Sequence, residues 1–280
     1  MDAAKGEFCN FEHHYAWQNV GVNLNIPNAV IKRTVPMIVL HKEKMIILKA
    51  RKVSGTSFEI ALSRYADKHS IITPISGSDE DTRIKLGWRG PQNYKCSLSQ
   101  MKACGRREIL NSVLKLERPK RFYNHIPANE AKQNLGEEIW NNYTKVSIVR
   151  NPFDYMVSFY FWATKSREQR QKISFQSFVL SQPELVLWNR KIYEIEGKNV
   201  IDFMIRYDHL HEDIAALEWT QPSLGGLANT FQGIHAKGNS RPREAKMGAM
   251  YMDAPRAYSL IYNVCLDEIE RYDFKLPAVG

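Results

Sequence analysis

The chain has 280 residues, a formal net charge of +9 at neutral pH and 44% hydrophobic residues. This length is compatible with one α/β domain that buries about three-quarters of its unfolded surface, and the positive charge suits an anionic ligand. The Lys and Arg residues are dispersed, with no basic tail, zinc-finger spacing or RNA-recognition signature, which argues against a dedicated nucleic-acid-binding protein.

Residues 1–44 show no clear periodicity and are predicted to form an irregular arm that wraps around the core, with room for a short hairpin. Cys9, His13 and His14 lie close together in this arm. Two adjacent histidines do not share a helix face, however, and no fourth ligand is evident. We therefore predict no metal site.

The apolar run that starts at Met45 predicts a short buried strand, and residues 58–66 have the periodicity of a helix. Between them lies a turn of small and polar residues, Lys-Val-Ser-Gly-Thr-Ser at positions 52–57. Such a turn before a helix binds anions because the first-turn amides lack intrahelical acceptors and the helix dipole favours negative charge. The turn thus predicts a phosphate site, although Ser and Thr are also ordinary helix caps and a plain loop-to-helix cap remains an alternative.

This turn differs from the loop of P-loop kinases and NTPases. That loop needs Gly-x4-Gly-Lys-Ser/Thr, with the lysine late in the loop and a hydroxyl that holds magnesium. Here Lys52 precedes Gly55, the only glycine of the turn. In this early position the ammonium group can lean over the bridging oxygen of a bound phosphate ester.

The middle of the chain is predicted from apolar patterning and turn residues. Residues 71–74 end a strand and open a long polar loop through Asn93, which forms either the wall of an acceptor site or a surface excursion. Trp88 and Trp162 are expected to be packing residues. Further along, the pattern predicts a helix at 98–116, a strand at 121–124 with His125 directly after it, and one or two helices within 129–142.

A second strand with a polar end lies at 145–149 and is followed by Arg150. Asn151 is a good N-cap and Pro152 suits the first helical position. Arg150 therefore stands at the carboxyl end of a strand, where ligands bind in open α/β sheets, and Ser158 follows two turns into the helix. An arginine fork with a hydroxyl suits a dianionic phosphate; the alternative is a capped helix whose arginine pairs with a carboxylate.

The remaining elements continue the alternation of strands and helices. We predict helices at 175–187, 209–217 and 254–272, a strand at 203–206, and a flexible basic loop at 235–243. This alternation predicts a central parallel sheet with helices on both faces.

Cys9, Cys96, Cys104 and Cys265 form no CxxC pair and no disulfide framework spacing. With no recognisable signal peptide, this pattern favours a reducing, cytoplasmic location. No apolar run approaches the ~20 residues of a membrane span, so we expect a soluble protein without a membrane span.

Together, the segments at 52–57 and 150–158 resemble the nucleotide-binding signature of sulfotransferases that use 3'-phosphoadenosine 5'-phosphosulfate (PAPS). The turn 52–57 is similar to that family's 5'-phosphosulfate loop, and Arg150 with Ser158 is similar to its 3'-phosphate motif. Other segments resemble its carbohydrate-type branch, namely 125–128, 135–140 and 149–154, and 207–213 resembles its Tyr-acid-x-Leu-x-x-Asp segment. The resemblance covers roughly residues 45–275 in the family's order. It implies a P-loop-like three-layer α/β fold with a central parallel sheet, in a single domain whose core is 45–275.

The resemblance also implies an activity, the in-line transfer of a sulfuryl group from PAPS to an acceptor hydroxyl. The product nucleotide is 3'-phosphoadenosine 5'-phosphate (PAP), no metal is required, and the acceptor is a sugar or glycolipid headgroup. Lys52 would stabilise the charge on the leaving oxygen and His125 would act as the base, with Glu130 as a weaker substitute. The implied nucleotide-binding residues are Arg51, Lys52, Ser54, Gly55, Thr56, Ser57, Arg150, Ser158, Tyr207, Lys237 and Arg241.

Several of these residues also have purely structural interpretations. His125 can be a histidine bonded to a loop carbonyl, Tyr207 can be a core aromatic rather than an adenine contact, and the 235–243 loop can be a solvated surface loop. Two rival functions also stay open: a P-loop kinase or NTPase relative, and a non-catalytic PAP-binding protein. Oligomeric state is not predicted.

Overall fold

The computed structural model describes residues 37–103, 110, 114, 117–123, 125–164, 167–234, 241–242 and 245–278. The strands in this part of the chain are β1 (Ile38–Leu40), β2 (Met45–Leu48), β3 (Ile71–Ile72), β4 (Thr144–Val149), β5 (Glu194–Ile195), β6 (Lys198–Asn199) and β7 (Phe203–Arg206). Five of them form a sheet in the order β3-β1-β2-β4-β7, and β5 pairs with β6 separately. In the sheet β2, β4 and β7 are parallel, whereas β1 is antiparallel to both of its neighbours.

Helices flank this sheet. They are α1 (Gly55–Ser63), α2 (Gly77–Lys85), α3 (Ala128–Leu135), α4 (Glu137–Asn142), α5 (Pro152–Ala163), α6 (Arg167–Lys172), α7 (Phe175–Ser181), α8 (Arg190–Tyr193), α9 (Leu210–Thr220), α10 (Leu227–Gln232), α11 (Met247–Met252) and α12 (Pro255–Arg271). Short 3-10 turns lie at Gln100–Ala103, Pro183–Leu185, Tyr207–His209 and Pro222–Leu224. No helix of the described residues is long and apolar enough to span a bilayer.

Two apolar clusters hold these helices in place. The first joins the central strands to α1, α9 and α10, where Phe58 of α1 meets Phe231 of α10 edge to face at 6.2 Å between ring centroids. The second joins α5, α7, α11 and α12, and Phe153 at the start of α5 lies 5.1 Å from the ring of Tyr251. Buried aromatic residues of this kind dominate core energetics. The helices that follow β2 and β4 are therefore both anchored by packing at their first turns.

The parallel pairing of β2 with β4 determines where the two candidate phosphate segments lie. Leu48 is in register with Ser147, and the Ser147 hydroxyl donates to the Leu48 carbonyl at 2.6 Å. Parallel strands end at the same edge of a sheet, where ligands bind in open α/β folds. The turn after β2 and the arginine after β4 consequently emerge side by side.

Most predicted elements around these segments are confirmed. The strands at Met45, 145–149 and 203–206 form, and Asn151 caps α5 by accepting a hydrogen bond from the Phe153 N–H at 3.0 Å. The region 129–142 forms two helices, because Gly136 between them adopts a φ of 87° that disfavours other residues. The last helix spans Pro255–Arg271, close to the predicted 254–272.

The sheet differs from the prediction in one respect. It is mixed rather than wholly parallel, because β1 runs against its neighbours. β1 lies within the range 1–44, which was predicted to be an irregular arm with room for a short hairpin. Residues 38–40 instead form a strand of the central sheet, and their hairpin partner is β2 of the predicted core. Residues 1–36 lie outside the described part, and the single-domain organisation stays a prediction.

The prediction of a long polar loop that opens at residues 71–74 and runs through Asn93 was wrong for its first half, because α2 lies within it. The side chain that α2 buries most completely is Arg83, which pairs with Glu59 of α1 at 3.2 Å and with Glu80 of its own helix at 3.2 Å. The Ile75 N–H donates to Glu80 at 2.8 Å and stabilises the helix start. A helix that buries a charge rather than an apolar stripe has no hydrophobic periodicity to detect.

Three other predicted elements differ from the structure. Residues 121–123 are not a strand; the Phe122 N–H bonds to the Tyr94 carbonyl at 3.0 Å in a loop. The helix predicted for 175–187 ends at Ser181, because Pro183 starts a separate 3-10 turn. The predicted helix 98–116 opens as a 3-10 turn at Gln100–Ala103, and most of its remainder lies outside the described residues.

Candidate active site

The turn after β2 is tightly wound and leads directly into α1. Lys52 and Ser54 have left-handed φ values of 60° and 54°, and the Ser54 carbonyl accepts the Ser57 N–H at 3.1 Å. The Ser54 side chain makes no capping hydrogen bond. The amides of Gly55 and Thr56, the first two helical residues, have no acceptor within the helix. The turn thus has the backbone of an anion cradle and lacks the side-chain cap of the plain-cap alternative.

Lys49 supports this cradle from below. A Cβ added to Gly55 would lie 2.4–2.7 Å from three carbon atoms of the Lys49 side chain. The Lys49 ammonium donates to the Thr56 hydroxyl oxygen at 3.0 Å. Because an ammonium group has donors only, Thr56 accepts this bond, and its own O–H is available to donate to a ligand.

A chain of buried charges continues behind Lys49. Its ammonium lies 3.4 Å from Glu59, which contacts Arg83 on the other side. Burial raises the pKa of Glu59 to about 7, and the charges of Lys49 and Arg83 oppose that rise. Both cations lie almost fully buried beside this carboxylate. Buried charged groups thus lie directly behind the first residues of α1.

We expect Gly55→Ala to reduce the free energy of unfolding by about 1–3 kcal/mol, the cost of overpacking a filled site. The new methyl group must displace Lys49 and break its bonds to Thr56 and Glu59. Urea denaturation measures the change. Gly77→Ala is the matched control, since Gly77 also begins a helix after a serine and has no atom near its added Cβ; equal losses in the two variants would contradict this packing role.

Arg150 joins the second segment to the first. Its guanidinium pairs with Asp154 through Nε at 2.7 Å and donates from Nη1 to the Lys52 carbonyl. The guanidinium carbon lies 4.0 Å from the centroid of the Tyr207 ring. Arg150 therefore does pair with a carboxylate, Asp154, as the structural alternative for this residue predicted. The same side chain nevertheless also contacts the cradle, 98 residues away in the chain.

Asp154 holds a second arginine beside the first. Arg241 pairs with Asp154 through Nη1 and donates from Nε to the Ala245 carbonyl at 2.6 Å. Burial raises the pKa of Asp154, but Arg150 and Arg241 outweigh it, so the pKa lies below its usual value. Ser158 is buried one helical turn after Asp154, on the same side of α5. This arrangement gathers two guanidinium groups and a hydroxyl, as a dianionic phosphate requires.

Two cations of the turn rest on indole rings. The Lys52 ammonium lies 5.6 Å from the Trp162 centroid, and the Arg51 guanidinium carbon lies 4.3 Å from the Trp188 centroid. Asn189 fixes the Arg51 backbone by accepting its N–H at 2.8 Å and donating to its carbonyl at 3.2 Å. Trp162, expected only to pack, therefore also contacts a site cation.

His125 lies against the end of β2 rather than at the end of a strand of its own. Its φ is 54° and its Nδ1 lies 2.9 Å from the Lys49 carbonyl. A carbonyl only accepts, so Nδ1 carries the hydrogen and Nε2 keeps a lone pair. Burial, together with the charge of Arg51, lowers the pKa of His125 well below its usual value. The predicted strand was wrong, yet the histidine is neutral and close to the cradle.

The other predicted residues are less closely connected. Glu130 accepts a hydrogen bond from the Tyr123 hydroxyl, and Lys237 lies outside the described residues, as do Cys9, His13 and His14. In the described ranges no three His, Cys, Asp or Glu side chains cluster as metal ligands.

A cleft of about 580 Å³ is lined by residues 91–95 with Ser97, Gln100, Arg118 and Arg121, so the end of the 74–93 segment forms part of a cleft wall.

Sequence reasoning missed three contributors to this site. They are Asp154 as a shared partner of two arginines, Trp188 as the surface under Arg51, and Asn189 as its backbone clamp. Asp154 had a local signal, since a carboxylate four residues after an arginine on a helix start can reach it. Trp188 and Asn189 had none, because they come from a segment 138 residues away from Arg51.

Comparison with known proteins is consistent with this geometry. A model described as the sulfotransferase family matches residues 35–223, a range that contains the turn, His125, Arg150, Ser158 and Tyr207 but not Arg241. Neither a curated protein nor a solved structure matches the chain. Because the family match spans more than half of the sequence, the chain belongs to the sulfotransferase family.

Proposed function

We propose that this protein transfers a sulfuryl group from PAPS to a hydroxyl of a carbohydrate or glycoconjugate. Family membership supports sulfotransfer in general. The observation that supports PAPS as the donor is the hydrogen bond from Arg150 to the Lys52 carbonyl. It connects a candidate 5'-phosphate cradle directly to a candidate 3'-phosphate site, and PAPS carries both groups. The mixed sheet flanked by helices is compatible with a P-loop-like three-layer fold, which we propose as part of the same assignment.

The residues of the site fit the charges of this donor. The amides of Gly55 and Thr56, with the hydroxyls of Thr56 and Ser57, would hold the 5'-phosphate. Arg150, Arg241 and Ser158 would hold the 3'-phosphate, as forked guanidinium groups bind dianions well. Tyr207 would contact the adenine from its position beside Arg150, and Lys237 stays a predicted contact.

The transfer requires only a few groups from the protein. The acceptor hydroxyl loses its proton to Nε2 of His125 as its oxygen forms a bond to sulfur. The bond between sulfur and the 5'-phosphate oxygen breaks, and its electron pair stays on that oxygen, where the Lys52 ammonium stabilises the charge. Catalysis of this kind depends on positioning and on electrostatic stabilisation of the leaving group.

We expect Lys52→Ala to lower kcat by about 10²–10³, because it removes a preorganised donor to the leaving oxygen. PAP affinity should fall only modestly, since backbone amides and Arg150 remain. Single-turnover kinetics with PAPS and titration with PAP measure the two effects. Near-normal turnover in Lys52→Ala would show that another group stabilises the leaving oxygen.

The acceptor class rests on resemblance and on the charge of the protein. The cleft is lined by three cationic side chains, Lys95, Arg118 and Arg121, which suit sugar hydroxyl and acidic groups. We propose it as the place where the acceptor extends away from the reacting hydroxyl. The cytoplasmic location stays a prediction.

Thermal unfolding with PAP, compared with ADP and magnesium-ATP, tests the proposal. A ligand at about 100 times its dissociation constant adds about 2.7 kcal/mol of stability. Selective stabilisation by PAP is the expected result. A larger response to magnesium-ATP would favour the kinase rival, whereas PAP binding without turnover of PAPS on any hydroxyl acceptor would favour the non-catalytic rival.

A further inference from the structure

Arg51 is a cation with an unusual environment. Its Nε atom is buried and has no hydrogen-bond partner among the described residues. Burial lowers its pKa, and no carboxylate of the described ranges is near enough to compensate; the group that acts against the shift is Tyr155. Burying a guanidinium without a counter-ion is costly. A bound anion would supply both the missing acceptor and the missing opposite charge.

Tyr155 presents a second buried donor without a partner. Only 2% of its surface is exposed, and its hydroxyl bonds to nothing in the described chain. Burial raises its pKa, and the nearby charge of Arg51 opposes that rise, so the two groups interact. Tyr155 is one turn into α5, the helix that also carries Asp154 and Ser158. An unmade hydrogen bond in a core position is costly, and a ligand that supplies the acceptor removes that cost.

The position of this pair relative to Lys52 indicates which anion binds. Phe159 contacts both indole rings, with centroid distances of 5.3 Å to Trp162 and 6.2 Å to Trp188. Lys52 and Arg51 rest on these two rings, so one aromatic cluster holds two cations side by side. The charge of Arg51 also acts on His125, the candidate base. Arg51 therefore shares an aromatic cluster with Lys52, the group proposed for the leaving oxygen, and acts electrostatically on His125, the group proposed to accept the proton of the attacking hydroxyl.

We infer that Arg51 and Tyr155 bind the non-bridging oxygens of the sulfuryl group as it passes from donor to acceptor. This inference rests on the proposed function. The sulfuryl oxygens carry negative charge before, during and after the transfer, whereas PAP lacks them altogether. The Nε–H of Arg51 and the O–H of Tyr155 are both donors and would be satisfied by these oxygens.

The test compares PAPS with PAP as ligands, measured by thermal unfolding and titration. Arg51→Met should lower PAPS affinity about 10- to 100-fold, the loss of a charge-assisted hydrogen bond, and leave PAP affinity unchanged. Tyr155→Phe should lower PAPS affinity about two- to tenfold. The melting temperature of ligand-free Tyr155→Phe should not fall, because the deleted hydroxyl has no partner to lose.

Arg64→Met is the matched control, since Arg64 is exposed at the end of α1 and donates to Thr230 at 2.7 Å; both affinities should stay unchanged. If Arg51→Met lowered the affinities for PAP and PAPS equally, the inference would be overturned, and Arg51 would be assigned to the part of the nucleotide that PAP and PAPS share. The inference would also be overturned if Arg51→Met left PAPS affinity unchanged and raised the KM only for acidic acceptors. Arg51 would then be assigned to binding of the acceptor. If the wild-type protein binds neither PAP nor PAPS, the proposed function itself fails. That failure is visible in the wild type alone and is thus distinct from failure of the inference, which only the variants show.

Discussion

We expect His125→Asn to lower kcat by about 10²–10⁴, the usual contribution of a general base. Asparagine tolerates the left-handed backbone of this position and can still donate to the Lys49 carbonyl, but it offers no basic nitrogen. PAP affinity and the urea midpoint should therefore stay close to those of the wild type. His41→Ala is the control, a partly buried histidine bonded to Tyr143 at 3.0 Å, and its kcat should be unchanged.

The pH dependence of the wild-type enzyme should reflect the same residue. Burial and the charge of Arg51 hold the pKa of His125 well below 6.5, so the imidazole stays neutral as the pH falls through that value. A base that is neutral can accept a proton, and the acid limb of kcat/KM should thus lie below pH 6.5. Loss of PAP binding together with activity in His125→Asn would instead identify a structural histidine.

We expect Arg150→Ala to weaken PAP binding by about 2–5 kcal/mol, the cost of removing one partner of a buried charged pair. Arg150 is the guanidinium that links the two candidate phosphate sites, and its side chain is 8% exposed. Titration calorimetry with PAP measures the loss, and Arg150→Lys should recover only part of it because lysine lacks the fork.

Arg206→Ala is the matched control for this variant. Arg206 ends the neighbouring parallel strand β7 and pairs with Asp213 at 2.8 Å, much as Arg150 pairs with Asp154. Its removal also deletes an arginine–carboxylate pair at the end of a parallel strand, but Arg206 is not one of the residues proposed to hold the 3'-phosphate. A PAP affinity of Arg150→Ala no lower than that of Arg206→Ala would contradict the 3'-phosphate role.

The local elements around the site were predictable because their signals are contiguous in the chain. The apolar run at β2, the small-residue turn that follows it, and the Asn151 cap after β4 each depend on neighbours a few residues away. The same is true of the first-turn amides, which lack acceptors wherever a helix begins. These features carried the resemblance to the family, which the family match confirms, and the assignment of two phosphate motifs, which stays a prediction.

Helix α2 and the environment of His125 were not predictable in this way. α2 packs against α1 through the buried Arg83, which pairs with Glu59 of that helix and with Glu80 of its own, and buried ion pairs leave no periodic trace in sequence. His125 becomes a neutral imidazole with Nε2 available only through the Lys49 carbonyl, 76 residues away. Both depend on contacts between distant segments.

The sequence by itself therefore determined the motifs, their order and the strands and helices that carry them. Only the tertiary structure decided that Arg150 and Arg241 share Asp154, that the Arg51 guanidinium rests on Trp188, and that Tyr155 presents an unpartnered hydroxyl. The reason is physical: the energy of a buried charge is set by which groups surround it in space, and burial removes the water that would otherwise screen it.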